Sequence, residues 1–163
     1  MKVEKILDRI EILQKNPLLA GELIGPKGLP KDFKSNCHGT TLFLWGIGCP
    51  NKLIGNEEVF SFNVKGRPGY VGGKTMEELL ADRFRFVRDT SPSILAIWEK
   101  VEGEYWLMHS GIYLGIQSGI ACAFHQPDYG LHFSFFNLNI TRRRAFERKE
   151  EWQYSFHVPG GKS

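Results

Sequence analysis

A chain of 163 residues, 42% of them hydrophobic, suits one globular domain over 1–163 that buries about two-thirds of the surface its unfolded chain would expose. Its net charge of +3, from 21 basic and 18 acidic residues, traces to Arg142-Arg143-Arg144 rather than to a basic face interleaved with aromatics, which argues against nucleic acid as a partner. Charged residues interrupt positions 1–16 and no apolar run approaches a membrane span. Neither a secretory leader nor a membrane anchor is therefore expected, and the cytoplasm is the default location with unconventional export left open.

Val3, Ile6, Ile10 and Leu13 recur at three- and four-residue steps with Leu7 beside them, so Lys2 to Lys15 is expected to form an amphipathic helix ended by Asn16-Pro17. Gly25-Pro26, Gly28 and Pro30 mark an irregular segment leading to Ser35. The stretch Cys37 to Trp45 fits a buried strand or a buried helix on composition alone. A polar cap at Ser35 or Asn36 before it, and Gly46 and Gly48 after it, favour the helix. Pro50 to Gly73 is glycine-rich and holds one short strand-like piece, Val59 to Val64. Thr75 with Glu78 three residues on forms a capping box that predicts a helix through about Phe86.

Beyond Pro92 the pattern changes to short apolar strands separated by turns, predicted at 93–100, 104–114, 119–125, 131–138 and 152–158. The charged run Arg142 to Glu151 reads as a solvated turn or helix. Helices first and a meandering sheet second give an α+β class, with the helices packed on one face of an antiparallel sheet.

Three cysteines, Cys37, Cys49 and Cys122, are odd in number and irregular in spacing, which suits neither a disulfide framework nor paired zinc ligands, so reduced thiols are expected. An isolated cysteine is most often a core residue, and Cys122 inside an apolar strand reads that way. Cys37 differs, because a helix N-terminus lowers a thiol pKa and directs backbone N–H groups toward an oxyanion. His109 opens a strand beside the small residues Ser110 and Gly111, and His125 ends the next strand. In an antiparallel hairpin the two imidazoles can lie side by side, one as base and one as its orienting partner.

The combination of Asn36-Cys37-His38-Gly39, His109-Ser110-Gly111-Ile112-Tyr113-Leu114-Gly115 and Phe124-His125-Gln126-Pro127 resembles the NlpC-type branch of the papain-like cysteine peptidases. The resemblance covers roughly Ser35 to Tyr129, and the His109 motif is its most specific part. It implies a papain-like core of helices on an antiparallel sheet, and a Cys-His-His triad of Cys37 as nucleophile, His109 as base and His125 as third member. The implied activity is peptide or amide hydrolysis through a thioacyl-enzyme, with cell-wall peptide as one candidate substrate. A papain-like deamidase or acyltransferase uses the same triad, and a catalytically silent peptide- or partner-binding module on the same cleft is the alternative of a different class.

Two departures bear on the substrate. The family usually has Asp before the nucleophile and Ser after it, where this chain has Asn36 and His38, so an anionic group that would pair a substrate ammonium is absent there. The 72 residues from Cys37 to His109 exceed the usual interval, which makes 50–73 a candidate insertion shaping the cleft. Asn36, His38 and Ser110, as neighbours of the two motifs, are the candidate substrate contacts; for His38 a solvent-facing position in the first helical turn is the competing reading. No cofactor and no metal is expected, since the triad needs none and zinc binding by His109, His125 and His132 is the weaker alternative. His132 and His157 are more simply structural, Asp128 is a less suitable third member than His125, and the Gly66 to Thr75 glycines lack phosphate-loop spacing.

Overall fold

A computed structural model describes residues 3–15, 36–46, 71–88, 90–127 and 133–160. Its elements in chain order are α1 (Val3–Lys15), α2 (Cys37–Trp45), α3 (Gly73–Arg83), β1 (Phe84–Val87), β2 (Ser93–Val101), β3 (Glu104–Gln117), β4 (Ile120–His125), β5 (Ser134–Asn137), α4 (Leu138–Glu147) and β6 (Trp152–Pro159). The architecture is mixed α+β. The chain divides into two compact units, Met1–Gly72 with His125–Ser134, and Gly73–Phe124 with Phe135–Ser163. No helix among the described residues is long and apolar enough to cross a membrane. Cys49, Asp128, His132 and nearly all of the 50–73 segment lie outside the described residues.

In the first unit, α1 buries the expected stripe of Ile6, Ile10 and Leu13, while Leu7 is exposed. Arg9, on the same helix, donates from Nη1 to the carbonyls of Phe43 (3.2 Å) and Leu44 (3.3 Å) and lies over the Phe43 ring. A cation is thereby set against the last carbonyls of α2, where the helix dipole favours it. Gly46 closes α2 in the left-handed region, at φ 93°, with its N–H bonded to the carbonyls of Leu42 and Phe43. Residues 38–45 are all buried. A helix buried on every side carries no amphipathic period, so its composition alone fits a buried strand as well as a helix.

In the second unit the strands form one six-stranded sheet in the order β1-β6-β2-β3-β4-β5, and the pairs of described register are all antiparallel. Two-residue turns join β2 to β3 and β3 to β4. Glu102 and Gly103 at φ 52° and 90°, and Ser118 and Gly119 at φ 49° and 77°, give both turns two consecutive left-handed residues, the geometry that matches strand twist. Two bulges interrupt β3. Ile97 pairs with His109 while Trp98 pairs with Leu107, leaving Met108 extra, and a second shift falls between Tyr113 and Gly115.

Both faces of the central strands are buried. Leu95, Ile97, Tyr113, Ala123 and Phe156 form a core with Leu138 of α4. On the opposite side Ile94, Ala96, Ile112 and Phe124 are fully buried. The helix predicted from Thr75 to about Phe86 starts two residues earlier and stops at Arg83, because Phe84-Arg85-Phe86-Val87 forms an edge strand against β6. Of that tetrapeptide Phe84 is buried while Arg85 and Phe86 are exposed, so no alternation marks it as a strand and the preceding helical run extends into it. The strand expected at 131–138 is described only from Ser134 to Asn137. Asn137 then accepts from Asn139 N–H and caps α4, whose second half takes in the charged run as far as Glu147.

Candidate active site

The start of α2 is built around Asn36. Its backbone is extended (φ −108°, ψ 179°), its Oδ1 accepts from Gly39 N–H at 2.9 Å, and its carbonyl accepts from Thr40 N–H at 3.0 Å. This makes Asn36 the N-cap and Cys37 the first helical residue, at the positive end of the dipole. The amide does more than cap. Nδ2 donates to Val71 O at 2.7 Å while Oδ1 also accepts from Val71 N–H at 3.2 Å, so one side chain satisfies both backbone groups of a residue 35 positions away. An aspartate could accept from Val71 N–H but would turn an oxygen toward Val71 O. Asn36, only 5% exposed, is thus engaged with backbone through both ends of its amide.

The Cys37 thiol is half-buried, and the carbonyl of Cys37 accepts from Thr41 Oγ1 at 2.8 Å. His38, 4% exposed, is not solvent-facing. Burial pushes its imidazole down to about 4, so it is neutral near pH 7 and does not serve as the cation beside a thiolate.

His125 closes β4, is half-buried, and belongs to the same unit as Cys37. The residue after it, Gln126, is fully buried and accepts at Oε1 from the Thr40 hydroxyl at 2.5 Å. The first turn of α2 and the segment that carries His125 are therefore joined by a buried side-chain bond. Thr40, Gln126 and Val71 are the residues that sequence reasoning missed as supports of this site. Their partners lie 35 and 86 positions away, beyond any local pattern, although a buried glutamine directly after a candidate histidine is a signal for a polar tie.

His109 belongs to the second unit, on β3 immediately after the Met108 bulge, and is half-buried. Its cross-strand partner is Ile97, which in turn pairs with Tyr154, so these three share one face of the sheet. Ser110 pairs with Ala96 on the other face and is fully buried. Ser110 and His109 thus do not present a common surface. Tyr105, Trp106 and Met108, just before His109, are exposed.

The remaining histidine and cysteine of the described sheet are tied into packing. Ser155 Oγ lies 2.8 Å from His157 Nε2 and accepts from Trp98 Nε1 at 2.7 Å, and burial pushes the His157 imidazole down. Burial also pushes the Cys122 thiol up, which reduces its thiolate at neutral pH. No group of His, Cys, Asp and Glu suited to a metal ion occurs among the described residues.

Compared with known protein families, curated proteins and solved structures, the chain matches none.

Proposed function

We propose that the protein is a papain-like cysteine hydrolase acting on a peptide or amide bond. The observation that carries this reading is the place of Cys37, a half-buried thiol at the first residue of a helix whose cap is made by the preceding side chain. That position favours the thiolate, and it would direct the peptide N–H of Cys37 toward the oxygen of an attacked carbonyl. The sequence motif around His109 supplies the base. Strand periodicity supports its partner: four residues back from Tyr113 to His109, and two on from Ala123 to His125, are both even steps and favour one face for both imidazoles, given that Tyr113 pairs with Ala123.

In this mechanism His109 takes the Cys37 proton and Sγ attacks the substrate carbonyl carbon. The tetrahedral adduct collapses to a thioacyl-enzyme as the imidazolium of His109 protonates the departing amine. Water, deprotonated by His109, then attacks the thioester, releasing the acid and restoring the thiol. His125 orients His109 and fixes its tautomer, as a carboxylate does in other triads. Deamidation differs only in the amine released, and acyl transfer only in the acceptor.

The exposed Tyr105, Trp106 and Met108 preceding His109 favour one second reading, a module that binds an apolar peptide without turning it over. Acyl-peptide probes, γ-linked ones included, separate the two. Hydrolase function predicts a covalent adduct at Cys37 that is lost in Cys37→Ala and His109→Ala; reversible binding with no adduct to any probe supports the module instead.

A further inference from the structure

The second unit holds a pocket of about 520 Å³ between the end of the β3–β4 hairpin and α4, within the size range of small-molecule sites. Its origin lies in the sequence. At the second bulge β3 passes through Gly115 at φ 86°, where a Cβ would come within 2.7 Å of Ser91 Oγ. On the hairpin side the small residues Gly115, Gly119 and Ala121 line it together with Ile116. Tyr113, Phe156 and Leu138 give it an apolar wall on the core side, while Ser91, Asn139 and Arg142 make the rest of its lining polar.

One lining residue carries a full charge at neutral pH. Arg142 stands one helical turn after Leu138 on α4, and its guanidinium lies over the Tyr154 ring with Cζ 4.5 Å from the centroid. Among the described residues no acidic side chain lines the pocket. The N-terminus of α4 is not the anchor, because Asn137 Oδ1 already accepts from Asn139 N–H.

From this arrangement we infer a binding site for a small organic monocarboxylate with an apolar body: the body against Tyr113, Phe156 and the small hairpin residues, the carboxylate on Arg142. A single guanidinium matches a single negative charge in bidentate fashion. Inorganic phosphate has no apolar body to lay against Tyr113, Phe156 and Leu138, so it forgoes that part of the lining. The site uses neither Cys37, His109 nor His125, so it stands or falls separately from the hydrolase reading.

The test is a ¹H–¹⁵N titration of the full chain with 4-phenylbutyrate, 4-phenylbutyramide and inorganic phosphate. Saturable shifts at Ala121, Phe156 and Arg142 are expected with the carboxylate alone. Arg142→Gln should weaken binding about tenfold or more, Arg142→Lys should recover part of it, and Ala121→Phe, which fills the floor, should abolish it while Arg142 remains. Arg142 is exposed, and circular dichroism checks that each variant is folded. Equal binding of the amide, an Arg142→Gln variant that binds as wild type, shifts reproduced by phosphate, or no saturable shift in the wild type would each overturn the inference.

Discussion

The Thr40 hydroxyl donates to Gln126 Oε1 at 2.5 Å, and both residues are fully buried. Thr40 lies three residues after Cys37 on α2, and Gln126 directly follows His125, so the bond fixes the chain around two of the three proposed catalytic residues. Thr40→Val, which keeps the shape and removes the donor, should cost about 1–3 kcal/mol. Gln126→Leu should cost a similar amount. Because the two share one bond, the double variant should lose less than the sum, with a coupling of about 0.5–3 kcal/mol in urea denaturation. Strict additivity would show that the bond does not hold these segments.

Asn36 uses its amide in both directions, donating to Val71 O and accepting from Val71 and Gly39 N–H. Asn36→Asp should therefore destabilise the fold by about 1–3 kcal/mol, although aspartate is a good N-cap, because the donor is lost and a charge is buried against a carbonyl. Asn36→Ala should also lose the cap. A stabilised Asn36→Asp in thermal and urea unfolding would contradict the two-way role of the amide.

Helix α1, the start of α2 and most strands were legible in the sequence because apolar period, caps and turn residues all act locally. Leu13 and Gly119 announce their elements within a few neighbours. The edge strand Phe84–Val87 was not legible, since its partner, β6, lies more than sixty residues on and the preceding helical run extends into it. The bulges at Met108 and before Gly115 are set by pairing with β2 and β4, which no single strand encodes. Of the candidate site, Cys37 at a helix start was readable from its cap. The engagement of Asn36 with Val71, the burial of His38 and the opposed faces of His109 and Ser110 arise from tertiary packing, which neighbouring residue types do not specify.

His38 makes stability depend on pH. Its imidazole is pushed from about 6.5 to about 4 by burial, so the unfolded chain takes up a proton that the folded one refuses. The contribution is complete above pH ~6.5, falls as the pH drops, and by pH ~4 amounts to a loss on the order of 3 kcal/mol. Urea midpoints of the wild type between these limits, compared with His38→Gln, should show the acid slope flattened in the variant. An unchanged slope would remove His38 as its source.

Gly73 opens α3 where a Cβ would meet Leu107 O at 2.8 Å, and Glu77 Oε1 accepts from Leu107 N–H at 3.0 Å one turn later. Gly73→Ala should force α3 away from β3 and weaken that bond, costing about 1–3 kcal/mol despite the better helix propensity of alanine. Thermal unfolding checks the sign, and a stabilised variant would show that α3 can shift without loss.

The central claim is that Cys37 is an activated nucleophile, and site-resolved alkylation tests it most directly. Iodoacetamide labelling across about pH 5–9, read by peptide mass spectrometry, should modify Cys37 at least about tenfold faster than Cys122 near pH 6.5, with a rate that His109→Ala lowers to that of an ordinary peptide thiol. Wild-type Cys37 labelled no faster than a peptide thiol at that pH would contradict the account.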